Sequence, residues 1–219
     1  MAVDKKNDSK NKKIIGYIAY VLAFLLAFYV VKEIRNKNYL PNMSANLESN
    51  IKDKIEDAKQ KTDGLVMEEI KKEELVNFDK RLTNEKDENK KLNLAADNFF
   101  GYYLINAEGR KKYCEKFGVK IPKFVNAFKS YNQQLFDRAS KIKDDEQKRS
   151  NKTLTLDQVF VIVEPSFNRL LDQDFSDMRK AYNLSEVEAC ELIEENASKL
   201  VKEMDYKKIN VQATTLLLK

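Results

Sequence analysis

The longest unbroken apolar run in the chain lies between Ile14 and Val31, eighteen positions with no charge and no proline. As a helix it would extend about 27 Å, close to the ~30 Å hydrocarbon core of a bilayer. A helix is also the form that satisfies every backbone polar group inside lipid. Tyr17, Tyr20 and Tyr29 lie toward its two ends, where amphipathic rings favour the headgroups, and Lys32 and Arg35 follow. The pattern predicts a short basic cytoplasmic tail over 1–13, a transmembrane helix over 14–34 and a juxtamembrane linker over 35–45. A cleaved signal peptide is the rival reading. Lys10, Lys12 and Lys13 would form its charged start, but the apolar run exceeds the roughly 7–15 residues of such a segment and no A-x-A follows.

Past Pro41 the spacing becomes amphipathic. Ser44 offers an N-cap, and Leu47, Ile51, Ile55 and Ala58 form one narrow stripe before Gly64, read as the C′ residue. Val66, Ile70, Phe78 and Leu82 mark a second helix. Charge covers the remaining faces, so 46–84 reads as charged amphipathic helices serving as a stalk, as a coiled coil with another copy, or as an outer layer on the main bundle.

After a polar joint, NEKDEN, residues 85–207 predict a helical-bundle domain. Phe99, Tyr103, Ala107, Cys114 and Phe117 fall near one helical face. Gly118 then suits a helix end and Pro122 a first turn, so FGVKIP reads as the corner of an αα-hairpin. The following helix presents Phe124, Val125, Phe128, Tyr131, Leu135 and Phe136. A further helix begins near Thr155. Its β-branched run Val159–Val163 has no partner strand in the sequence and stays helical, while Pro165 is expected to kink or break it. Ser185 and Glu188 form a capping-box pattern opening a helix whose apolar side runs from Val187 to Met204. The tail over 208–219 ends in three leucines, which either lie on the bundle or form a docking segment. The fold class is therefore all-α: a single N-terminal transmembrane helix followed by a bundle of about five to six helices.

Composition supports helices, with 5 Gly and 3 Pro in 219 residues. The net charge of +5 suggests an acidic partner until it is mapped. Residues 1–37 hold eight Lys and Arg against three Asp and Glu, and the 32 of each sign that remain balance. The excess belongs to the membrane flanks, where anionic headgroups attract it. The body lacks the basic footprint of a nucleic-acid binder.

The chain has no His, which excludes Ser-His-Asp and Cys-His catalysis and the usual His ligation of zinc and haem. Phosphate-cradling glycine motifs are missing too. No catalytic or metal-binding residues and no cofactor are assigned, and the chain reads as a non-enzyme. Two features remain as candidates. Cys114 and Cys190 both sit on apolar helix faces, where they pair as a disulfide in an oxidising compartment or stay as reduced core thiols. Phe99, Tyr103, Phe117, Phe124 and Phe128 either fill the core or line a pocket for an apolar ligand.

These observations lead to an expectation of location and role. The basic start favours a cytoplasmic N-terminus in a bacterial inner membrane, with the body periplasmic. The expected role is a non-catalytic accessory, scaffold or assembly subunit of an envelope complex, whose partners are the bilayer and other envelope proteins or a second copy, with no nucleic acid. The alternatives are a membrane-anchored module for a ligand or lipid, and a tethered regulatory domain in the cytoplasm if the orientation is reversed.

Overall fold

The computed structural model of the chain describes residues 40–150 and 155–219. The predicted tail 1–13, the membrane segment 14–34 and the first residues of the 35–45 link lie outside the described residues. Among the described residues there is no strand, and no helix is long and apolar enough to cross a membrane.

Five long rods are followed by a run of short helices. They are α1 (Leu40–Lys61), α2 (Val66–Asn84), α3 (Glu88–Leu104), which continues through a π-helical turn (Ile105–Gly109) into α4 (Arg110–Glu115), α5 (Pro122–Ser150) and α6 (Leu156–Tyr182). The run comprises α7 (Glu186–Glu195), α8 (Ala197–Glu203), α9 (Tyr206–Ile209) and α10 (Val211–Leu218). The described chain thus has more pieces than the five or six helices expected, because the C-terminal part is broken up. Asn196 leaves helical geometry at φ −101°, ψ 17°, and splits the helix read as continuous from Val187 to Met204.

Local chemistry explains most of the boundaries. Asp87 accepts from the Asn89 and Lys90 amides at 2.9 and 3.2 Å and starts α3. Thr155 with Gln158, and Ser185 with Glu188, form reciprocal capping boxes at α6 and α7. At the hairpin corner the Val119 amide donates to Cys114 O and the Gly118 amide to Glu115 O, both at 3.1 Å. That is a Schellman ending, and its left-handed position is Gly118 at φ 78°. Asn183 plays the same part after α6 at φ 55°.

Three boundaries differ from the sequence reading. Helix α1 starts at Leu40 rather than after Ser44, because Pro41 falls in its first turn, where a missing N–H costs nothing. It ends at Lys61, and Gly64 sits in the following turn without a left-handed backbone, its N–H donating to Thr62 Oγ1 at 3.0 Å. Helix α6 runs unbroken through Pro165, which costs roughly 3 kcal/mol of helix stability. Phe160, Val163, Phe167 and Leu170 are buried on both sides of the proline, and this packing holds the helix together.

The rods form two layers. In the first, α1, α2 and α6 pack together through Leu47, Ile51, Ile55, Ala58, Ile70, Phe78, Val163 and Leu170. Glu48 pairs with Arg169 at 2.6 Å, and after the turn the Met67 amide donates to Asp177, eight residues further along α6. Helices α1 and α6 therefore run in the same direction in direct contact, and α2 returns antiparallel against both, with Lys54 bonded to Glu74. In the second layer α3 and α5 are antiparallel, with α8 and α10 packed on them. The π turn and α4 join the layers by crossing α6.

Two helices are capped from elsewhere in the fold. Helix α2 has no capping side chain of its own, and Asp177 of α6 takes the Met67 amide at 2.9 Å. Helix α5 opens with Pro122, and Glu194 of α7 accepts from the Lys123 and Phe124 amides at 3.0 and 3.1 Å. These carboxylates fix where the chain re-enters each layer.

Candidate functional site

The rod made of α3 and α4 holds the most unusual chemistry of the body. At Ile105 the helical ladder widens by one residue, so that the Arg110 amide donates to Ile105 O. Such widened turns occur often at functional positions. Gly109 lets the rod approach α6 closely: a Cβ there would stand 3.3 Å from Leu171 Cδ1.

The widened turn delivers Arg110 to the interior, where its side chain is fully buried. Its Nε donates to Asn106 Oδ1 and its Nη2 to Asp174 Oδ2, each at 3.0 Å. Asn106 in turn donates to Tyr102 O at 2.8 Å. The guanidinium lies 5.8 Å from the centre of the Phe175 ring. Phe175 stacks on Tyr113 at 4.2 Å, and Tyr113 meets Phe117 at 5.3 Å, so a line of rings runs from the buried charge to the hairpin corner. Burial pushes the Asp174 carboxyl up to about 6, against the opposing pull of Arg110. Burial also raises the Tyr113 phenol. Arg110 Nη1 is buried with no hydrogen-bond partner among the described residues.

One turn beyond Arg110 stands Cys114. It is joined to Cys190 of α7 in a disulfide with a Cα separation of 5.7 Å, and both residues are fully buried. The bond ties the corner of the hairpin to the helix whose Glu194 caps α5.

Four of the five candidate aromatic residues meet along the α3–α5 seam. Phe99 lies 5.9 Å from Tyr103, Tyr103 5.8 Å from Phe128, and Phe124 5.9 Å from Phe128. Phe99, Phe124 and Phe128 are fully buried, and Tyr103 also contacts Phe136 at 4.7 Å. Phe117 stands apart from them at the corner, 38% exposed.

A second polar cluster, not anticipated from the sequence, fixes the C-terminal run. Tyr206 donates to Asn98 Oδ1 at 2.6 Å and Asn210 donates to the same oxygen at 3.0 Å. Tyr102 donates to Met204 O. Asn210 also caps α10 through the Ala213 amide. The tail thus lies on the bundle, with Leu217 buried.

Of the Arg110–Asp174 pair, the need of Asp174 for a buried partner was legible in principle. Asp174 interrupts the apolar face Leu170–Phe175–Met178, and a carboxylate there requires a buried partner. Chemically, this arrangement fastens helices together. Its ion pair and its disulfide are buried, and among the described residues no group of three or more His, Cys, Asp or Glu could hold a metal ion. No protein family matches the chain, and no curated protein or solved structure is similar to it.

Proposed function

We propose that the chain is a single-pass membrane protein whose helical body stands outside the cytoplasm and acts by protein contact, as an accessory or scaffold subunit of an envelope complex. The observation that carries this reading is the Cys114–Cys190 disulfide, because buried structural disulfides belong to oxidising compartments. The apolar run Ile14–Val31 supplies an anchor of bilayer length, and the five lysines before it favour a cytoplasmic start. The body has balanced charge, and its interior polar groups are used in fastening helices, as befits a rigid platform.

Protease treatment of intact spheroplasts tests the orientation. The body should be digested from outside, while a tag at the N-terminus survives until the membrane is opened. Thiol alkylation of denatured, unreduced cells should leave Cys114 and Cys190 unlabelled. A body protected from protease, with both thiols alkylated, would place it in the cytoplasm as a tethered domain. Cross-linking in cells tests the role: a body always recovered alone would defeat the scaffold reading.

A further inference from the structure

Asn183, Leu184 and Ser185 make up the whole link between α6 and α7, and none of them is helical. Asparagine followed two places on by serine or threonine is the acceptor pattern for an N-linked sugar, and it belongs on the surface of a chain exported from the cytoplasm. The described residues hold three such patterns, starting at Asn42, Asn183 and Asn196. The first lies within α1, and Asn196 donates its side-chain amide to Leu192 O at 2.9 Å just before α8 begins. Of the three, only the pattern at Asn183 lies wholly outside helices. Asn183 is exposed, its backbone is left-handed at φ 55°, and its side-chain amide makes no hydrogen bond among the described residues. The structural duties of the link do not account for its residues. Glycine fills a left-handed position after a helix without strain, and aspartate caps a helix as well as serine does. Asparagine at 183 together with a hydroxyl at 185 completes the acceptor pattern.

We propose that Asn183 carries an N-linked oligosaccharide, transferred outside the cytoplasm from a polyprenyl-diphosphate carrier. This rests on the extracytoplasmic reading above and adds to it a covalent mark at a defined turn. In the transfer, Asn183 Nδ2 bonds to C1 of the first sugar, and the bond from C1 to the diphosphate oxygen breaks. The lipid diphosphate leaves with the electron pair, and one amide proton passes to a base of the transferase. In the folded body the Ser185 hydroxyl is tied to Glu188 Oε2 at 2.8 Å in the capping box. The transferase therefore meets this segment before α7 closes, and the sugar then extends from an exposed turn.

The full-length chain is purified from the membranes of its own cells and cut after lysine and after glutamate. Cleavage after Lys180 and Glu186 isolates Asn183 from Asn196 in the peptide Ala181–Glu186. Mass spectrometry should find most copies of that peptide carrying an oligosaccharide. Ser185→Thr should keep the sugar. Ser185→Asp, which preserves the cap, and Asn183→Gly, which preserves the turn, should each lose it completely. Both should unfold at the same urea concentration as the enzymatically deglycosylated natural protein, which separates loss of the acceptor from loss of the fold. An unmodified Ala181–Glu186 peptide overturns the proposal, and leaves the extracytoplasmic reading intact where the body is digested from outside and Cys114 and Cys190 are bonded. Sugar on Asn196 in place of Asn183, or sugar that persists in Ser185→Asp, overturns it as well. A body protected from protease, with both thiols free, refutes the extracytoplasmic reading itself.

Discussion

Arg110 donates from Nη2 to Asp174 Oδ2 at 3.0 Å, and both side chains are buried. The two members of this pair are not equivalent. Without Arg110 the carboxyl can take up a proton and become neutral; without Asp174 the guanidinium cannot lose its charge. Asp174→Leu should therefore cost about 3–5 kcal/mol, and Arg110→Met clearly less. The double variant should be more stable than Asp174→Leu alone. Urea denaturation of the four proteins measures the cycle, and equal losses for the two single variants would contradict the asymmetry.

Asp97 and Asp174 give the body an inverted acid response. Burial holds both carboxyls at about 6, above the ordinary 3.8, with Lys143 and Arg110 respectively opposing the shift. Between those values the folded chain binds more protons than the unfolded one. The contribution of these groups to stability is complete below the unfolded value and disappears as pH rises through the folded one. The stability of Asp97→Asn relative to the natural protein should consequently improve from about pH 4 to pH 7. Urea midpoints along that range decide the sign, and a flat difference would show that Asp97 is not held protonated.

The disulfide closes a loop of 76 residues that contains α5 and α6. In the chain-entropy picture a loop of that length stabilises by about 4 kcal/mol. Cys114→Ser with Cys190→Ser should lower the unfolding free energy by that order. The reduced natural protein should unfold at nearly the same urea concentration as the double variant.

Capping from a distance gives a further contrast. Asp177 is buried and accepts the Met67 amide, while Glu194 is only partly buried over the start of α5. Glu194→Ala should cost about 1 kcal/mol, the usual loss of a helix cap. Asp177→Ala should cost about 2 kcal/mol, because a buried amide is left unmet. Hydrogen exchange at Met67 and Phe124 locates each effect, and unchanged protection at those amides would dismiss the capping role.

Much of this fold can be read directly from residue order. Gly118 and Pro122, Ser185 with Glu188, and the stripes through Leu47 and Phe124 carry local signals that act over a few residues. The Cys114–Cys190 proximity and the Arg110–Asp174 pair join residues 76 and 64 apart, and only packing of whole helices decides them. The π turn escaped because the apolar period is the same before and after it; the inserted residue shows only in the widened hydrogen bond at Arg110. Pro165 was over-read for the opposite reason: a strong local breaker is overruled where Phe160 and Phe167 anchor the helix on either side.

A sulfur link between Cys114 and Cys190 also alters how the body would respond to force. Tension between the start of α1 and the final leucines passes through the bond and bypasses α5 and α6. The body can yield only by unspooling its two outer portions, while about 260 Å of extended chain stays locked in the loop. Reduction would release that length and turn a short, stiff tether into a long, compliant one.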